Sequence, residues 1–381
     1  MPWESKTVEK LREAFVLEAQ ECTNFSSLCR EFQITRRTGY KWLKRYEDRL
    51  GLKDQSKVPN TIANKTPLET EIKILELRKD NPGWGAKTIK TVLENQGHTD
   101  IPCVKTVNNI LNRYCCISTE ESQKRIPYKR FEKDKCNKMW QTDFKGEFYT
   151  NDGKKCYPLD IIDDHSRFSI KIAPFTSTEN VVIPSFKAAF EEFGLPDSVL
   201  SDNGAQFKGF RQGLGRFEKW LMDLDILPIH CRMQHPQTQG KIERFHRTMK
   251  NELLKHNKFN DIKEVDQALQ CWRNKYNTIR PHEALGMKTP ADVYIPSSKT
   301  YSDKVKKYEY DGRYHIIRVN SWGYVRFAGY QVYLSETMID EHLEFRPNPS
   351  GESFFVCYRN FKIAEFSTET GKLLNRKISR L

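Results

Sequence analysis

Apolar residues in the first fifty positions recur at helical spacing. Val8, Leu11, Phe15 and Leu17 mark one face of a first helix, and Phe25, Leu28, Cys29 and Phe32 mark a short second one. A third runs through Tyr40, Trp42, Leu43 and Tyr46, with Thr35 placed to cap it. Gln33-Ile34 leave room only for a tight connection, so the segment predicts a helix-turn-helix. After a polar linker from Lys53 to Asn64, Thr66-Pro67 opens a helix through Leu68, Ile72, Leu75 and Leu77. The breakers Asn81-Pro82-Gly83-Trp84-Gly85 interrupt it, and helical spacing resumes at Ala86–Gln96 and Val104–Arg113. A second helix-turn-helix-like module is expected there, with Lys87, Lys90, Lys105 and Arg113 as its basic positions.

Past a charged connector at residues 118–135, which holds Lys124, Arg125, Lys129 and Arg130, the pattern turns to strands. MWQTDFK reads as one, CYPLDIIDDHSR as a second after the Asn151-Asp152-Gly153 turn, and FSIKIAPF as a third. Then come a helix over Thr178–Phe193, a short strand Asp197–Asp202, a helix Phe217–Leu224, the strand PIHC and a long helix Gln237–His256. That order predicts an α/β domain with a mixed sheet. The last eighty residues predict short strands at Tyr314–Val319, Tyr324–Phe327, Gln331–Leu334, Leu343–Pro347 and Phe354–Arg359, a pattern expected of a small β-barrel. The chain thus reads as multidomain α+β, with domains at 1–52, 64–117, 133–296 and 308–370.

Charge narrows the partner. The formal net charge is +13, and a surplus of that size suits a polyanion, nucleic acid or an anionic membrane surface. No apolar run reaches the roughly 18 residues of a membrane span, and the N-terminus lacks the apolar core of a secretion signal. A soluble, cytoplasmic and nucleoid-associated protein is expected. The ten cysteines include no CxxC pair and fit reduced thiols better than zinc ligands or disulfides. On the third helix Arg36, Arg37, Lys41, Lys44 and Arg45 cluster where base edges and phosphates would be met, so DNA binding is expected here; a small helical bundle with a solvated charged face is the alternative.

Three acids carry the candidate chemistry. Asp143 lies inside an otherwise apolar strand, a costly place for a carboxylate without a partner or cation. Asp202 ends another strand before Asn203-Gly204, and Glu243 lies in the long helix after Pro236. Brought together they would repel and raise one another's pKa. Two Mg²⁺ ions would remove that penalty and create a phosphoryl-transfer centre. Singly, Glu243 could pair with Arg247 one turn on, and Asp202 could simply begin a turn.

The flanking residues favour the collective reading. Trp140-Gln141-Thr142-Asp143, Ser201-Asp202-Asn203-Gly204 and His235-Pro236-Gln237-Thr238-Gln239-Gly240-Lys241-Ile242-Glu243-Arg244 resemble the catalytic blocks of DDE transposases and retroviral integrases. The resemblance continues through Phe245-His246-Arg247, Tyr276-Asn277, Arg280-Pro281-His282 and Thr289-Pro290, as in bacterial insertion-sequence transposases with an integrase-type core. It implies a ribonuclease-H-like core over 133–296, with Asp143, Asp202 and Glu243 as the catalytic, metal-binding triad for two Mg²⁺ ions, for which Mn²⁺ would substitute. It also implies cleavage and joining of double-stranded DNA, element ends and target alike, by a homodimer or larger assembly. One departure stands out: 40 residues separate Asp202 from Glu243, a few more than the family pattern, and the surplus is expected in the surface stretch Gly209–Gly215. On the long helix Gln239, Lys241, Arg244, Arg247 and Lys250 are expected along incoming DNA. Asp163 and Asp164 read as structural, and His165 and His246 could assist without being required.

Overall fold

The computed structural model describes residues 8–54, 66–117, 132–209, 213–231, 240–349, 351 and 353–381. It divides into two units, Met1–Lys65 and Thr66–Leu381, each with its own core. The expected motif His235–Gln239, most of the linker, and Lys124, Arg125, Lys129 and Arg130 lie outside the described residues.

The first unit holds α1 (Val8–Glu21), α2 (Phe25–Glu31) and α3 (Arg36–Glu47). Asn24 caps α2 by accepting from the Ser27 amide, and Thr35 caps α3 by accepting from Thr38, as its position predicts. The core is Phe15, Val16, Leu28, Cys29 and Trp42. The buried stripe of α1 therefore differs from the expected one: Val8, Leu11 and Leu17 are exposed. Arg12 takes a place on the inner face by laying its guanidinium 3.8 Å from the centre of the Trp42 ring. Gly39 lets α3 approach so closely because a Cβ there would stand 2.9 Å from Cys29 Sγ and Phe15 Cζ.

The second unit begins with α4 (Leu68–Asp80), α5 (Ala86–Asn95) and α6 (Val104–Arg113), packed around Ile74, Trp84, Ile89, Val92, Val107 and Ile110. Here too the α4 stripe is rotated, leaving Leu68 and Ile72 exposed.

Next come β1 (Trp140–Phe144), β2 (Phe148–Tyr149), β3 (Lys155–Asp163), β4 (Ser169–Phe175), α7 (Val182–Phe193), β5 (Ser198–Ser201), α8 (Arg216–Asp223) and β6 (Leu227–His230). α9 (Gly240–Met249) runs on into a π-helical turn at Lys250–Leu254, followed by α10 (Ile262–Thr278) and α11 (Pro290–Val293). The sheet runs β4-β3-β1-β5-β6, with β2 paired to the start of β3. The β4-β3 and β3-β1 pairs are antiparallel, and β1-β5 and β5-β6 are parallel, so the sheet is mixed as expected. Trp140, Leu159, Ile161 and Val199 face α7 and α8, while Ile162 and Ile172 face α9 and α10. α10 was not foreseen from the sequence, yet its Val265, Leu269, Trp272 and Tyr276 close that second face.

The C-terminal segment forms β7 (His315–Arg318), β8 (Tyr324–Phe327), β9 (Tyr330–Tyr333), β10 (His342–Pro347), β11 (Ser353–Tyr358), β12 (Phe361–Ser367), β13 (Leu373–Asn375) and β14 (Ser379–Arg380). The expected small β-barrel does not close among the described residues. β13-β12-β11-β10-β7 form an open sheet, β14 pairs with β12, and β8-β9 form a separate hairpin. The hairpin supplies by packing what closure would supply by pairing: Phe327 stacks on Phe345 at 4.3 Å, and Val325 and Val332 enter the same core. That core also takes in Met222 of α8 with Leu214 and Leu227, so the C-terminal sheet is seated on the α/β domain.

Candidate active site

Strand alternation decides which acids meet. Trp140 points into the α7/α8 core, so Gln141 and Asp143 point to the α9 face. On β3 Leu159 and Ile161 share the α7/α8 core, which turns Asp160 towards α9. Register sets Asp143 directly opposite Asp160 on antiparallel strands. Asp202 follows the last residue of β5, the parallel neighbour of β1, and its Oδ1 accepts from the Gly204 amide at 2.9 Å. Burial pushes the Asp143 carboxyl up to about 6; the charge of His246 pulls it back and that of Asp202 pushes it further.

From α9, His246 reaches into this group. Its Nδ1 stands 3.9 Å from Asp143 Oδ2 and its Nε2 stands 2.7 Å from Asp160 Oδ2. Asp160 is fully buried, which raises its carboxyl pKa against the lowering effect of His246. The 2.7 Å contact is too oblique to count as a hydrogen bond, and neither oxygen of Asp160 has another partner among the described residues. Glu243, one turn earlier on α9, is exposed. Among the described residues no cluster of three or more His, Cys, Asp or Glu side chains is poised around one metal position. The structure thus brings Asp143 and Asp202 together, adds His246 and Asp160, and leaves Glu243 outside the group.

A second histidine stands behind Asp202. His230 Nδ1 lies 3.2 Å from the Asp202 carbonyl and 3.1 Å from Ser201 Oγ, and its Nε2 lies 2.8 Å from Glu218 Oε1. The buried Glu218 also accepts from the amides of Gly209 and Gly215 through Oε2, at 3.0 and 2.6 Å. The longer connection expected at Gly209–Gly215 is therefore pinned at both ends. Its Leu214 carbonyl accepts from Ser335 and Thr337 of the C-terminal segment, each at 2.8 Å.

The donor set suits a hard cation. Asp143 and Asp202 offer carboxylate oxygens, and Mg²⁺ characteristically takes one or two carboxylates and completes its shell with water and substrate phosphate. A cation there would also offset the burial and the Asp202 repulsion that raise Asp143.

Comparison with known families covers the α/β core and the helical segments before it. Residues 133–236 and 224–290 match models of the integrase core domain, residues 11–59 a helix-turn-helix domain, and residues 38–111 a homeodomain-like domain. The chain carries an integrase-type core like that of insertion-sequence transposases. An uncharacterized insertion-element protein of Xanthomonas euvesicatoria is 28% identical over 159 residues, 41% of this chain and 43% of that protein. A transposase for an insertion sequence in Bacteroides fragilis is 24% identical over 204 residues, 49% of this chain and 39% of the relative. The chain thus spans less than half the length of either. The catalytic core of HTLV-2 integrase, solved with magnesium, aligns at 18% identity and a TM-score of 0.34, covering 42% of this chain and 97% of that one.

In the integrase core the remaining motif residues hold the frame. Asn277 exchanges hydrogen bonds with the backbone of Ser169, tying α10 to β4. Thr289 and Asp292 form a capping box on α11, and Arg280 pairs with Glu252 at 2.8 Å. Burial lowers His282 to about 3, and the surrounding Arg280, Arg167 and Arg244 charges push the same way, so the ring is neutral. Asp163 accepts from Asn137, Ser166 N and Ser166 Oγ, the structural role expected of it. Asp164 accepts from Lys133 N, Gln141 Nε2 and Lys241 Nζ.

That last contact corrects one expected DNA contact. Lys241 is turned inward to Asp164 at 2.5 Å because Asp164 is fully buried and needs a counter-charge. Arg244, Arg247 and Lys250 are exposed on the helix, and Gln239 lies outside the described residues. In the first unit Arg36, Arg37, Lys41 and Lys44 are all exposed on α3. In the second helical module Lys87 pairs with Glu283, Lys90 with Glu94 and Arg113 with Glu71, so three of its four expected basic positions already have carboxylate partners. Asp160, His246, His230 and Glu218 are additions to the expected site. Strand parity alone places Asp160 on the face of Asp143, and helical spacing places His246 one turn after Glu243.

Proposed function

We propose that the protein is a transposase that binds the ends of a mobile element and catalyses metal-dependent DNA cleavage and strand transfer. The observation that supports this reading is the placement of Asp143 on β1 and Asp202 just after β5, the parallel neighbour of β1, in an integrase-type core, with burial and the Asp202 charge both raising the Asp143 carboxyl. Asp143 and Asp202 would hold the metal ions, Mg²⁺ or Mn²⁺, with Glu243 joining from α9. When bound, such ions activate the attacking oxygen and stabilise the leaving one. In the first step water attacks a phosphodiester at the element end and frees a 3′-hydroxyl. In the second that hydroxyl attacks a phosphodiester of target DNA, displacing a 3′-oxygen and losing its proton to solvent. The exposed arginines and lysines of α3 serve recognition of the element end, and Arg244, Arg247 and Lys250 follow the phosphate backbone. Two ends require two such sites, hence a dimer or larger assembly on DNA.

The exposed position of Glu243 favours one alternative, a DNA-binding regulator without catalysis. Incubating the protein with Mg²⁺ or Mn²⁺, supercoiled plasmid and labelled duplexes from the flanks of its gene separates the readings. Label joined to plasmid by the wild type but not by Asp202→Asn is the expected result. Nicking without joining points to a nuclease, and binding without either reaction to the regulator.

A further inference from the structure

Asp160 is the one acid near the site that the proposed chemistry leaves without a task. It fills the middle of a core strand, fully buried, with no hydrogen-bond partner among the described residues for either oxygen. An apolar side chain would fill that position more stably, because desolvating a carboxylate and a partner commonly costs more than their attraction returns. The sole basic side chain in contact with it among the described residues is His246, and the other nitrogen of that ring faces Asp143. The imidazole is therefore held from behind by a buried acid and presented to the carboxylate at the candidate metal position. Both acids lie on the same face of the sheet by register, and one helix supplies the histidine between them.

We propose that Asp160 and His246 are positioning residues that fix the orientation of the Asp143 carboxylate for divalent-cation binding. The proposal rests on the reading of Asp143 and Asp202 as metal ligands. Asp160 acts through His246 and touches neither metal nor DNA, as outer partners of ligating carboxylates do elsewhere. His246 Nδ1 faces Asp143 Oδ2 at 3.9 Å, so the ring stands where it limits how that carboxylate turns. With Asp160 replaced, the ring loses its backing and Asp143 can turn away.

The test measures Mn²⁺ binding to the metal-free full-length protein by electron paramagnetic resonance of the free ion, without DNA. His246→Ala and Asp160→Leu are expected to weaken Mn²⁺ affinity about tenfold or more, the loss typical of outer-shell substitutions. Asp160→Asn keeps the shape of the side chain and a polar oxygen against the ring, and is expected to recover most of it. Thermal unfolding run alongside shows that each variant is folded; His246→Gln serves if the alanine variant is not. A scaffolding role for the pair would change the melting temperature and leave the affinity of the folded variants untouched, and that result overturns the proposal. So does an Asp160→Asn variant no better than Asp160→Leu. Failure of the underlying metal reading would show elsewhere, as Mn²⁺ binding that Asp143→Asn and Asp202→Asn leave intact.

Discussion

Replacing Asp143 by asparagine is expected to stabilise the metal-free protein at neutral pH while removing its response to Mg²⁺. The folded-state carboxyl titrates near 6 against an ordinary 3.8, chiefly through burial. A raised pKa means the native state holds this proton more tightly than the unfolded chain does. The carboxylate is then no burden well below 3.8, where both states are protonated, a small one at pH 4, and a full one once pH has risen through 6. At 1.36 kcal/mol for each pKa unit, the shift corresponds to at most about 3 kcal/mol. The shift is already net of the opposing attraction of His246, and asparagine only approximates the protonated acid, so a gain of about 1–3 kcal/mol is expected at pH 8.

Urea unfolding in EDTA at pH 4 and pH 8, followed by tryptophan fluorescence, measures this difference. The variant should nearly match the wild type at the lower pH and exceed it at the higher. Added Mg²⁺ should then raise the stability of the wild type, by an amount set by its concentration over Kd, and leave the variant unchanged. A variant no more stable than the wild type at pH 8, or one whose advantage is equal at both pH values, refutes the argument from burial.

Other consequences can be read directly. Glu218→Ala strips acceptors from the Gly209 and Gly215 amides and from His230, and should cost about 2–4 kcal/mol in urea unfolding, with the loop after Asp202 becoming the first site of protease cleavage. Lys241→Ala leaves the buried Asp164 without its cation and should cost about 3–5 kcal/mol while changing the salt dependence of DNA binding little. Lys41→Ala should do the reverse, lowering the slope of log affinity against log salt by about one with thermal stability unchanged. Trp42→Ala removes the large side chain at the centre of the first unit and should cost that unit about 3–5 kcal/mol, seen as selective proteolysis within residues 8–54.

Asp143 stands out in the sequence because a carboxylate breaks an apolar strand pattern, whereas Asp202 ends its strand before a turn and is singled out only by the resemblance of its flanking residues. Asp160 breaks the same pattern inside CYPLDIID, yet its role needed the register of β3 against β1, which no local period specifies. The stripes of α1 and α4 were misjudged for a related reason. Propensity and spacing say that a helix has an apolar side, but a flanking cation such as Arg12 can cover an indole and turn the helix. The barrel expectation took short, regularly spaced strands as closure. Strand count and turn spacing do not determine whether the first and last strands meet, and β12, absent from the expectation, is the strand that carries both β13 and β14.

Charge shows the limit most sharply. The surplus of +13 suits a polyanion, yet counting cations along a helix does not say which remain available. Lys241 is paired with an acid 77 positions away, and Lys87 with one 196 away, contacts that exist only after folding. A buried acid such as Asp164 draws in the cation nearest in space, because leaving it unpaired costs far more than a surface lysine gains in water. Exposed acids take cations too, as Lys87 and Glu283 pair although both are exposed. On α3 the four expected contacts make no ion pair among the described residues, and the acids nearby, Glu31, Glu47 and Asp48, are themselves exposed and solvated. Whether a cation can meet a polyanion is thus decided by tertiary ion pairing and not by its place along a helix.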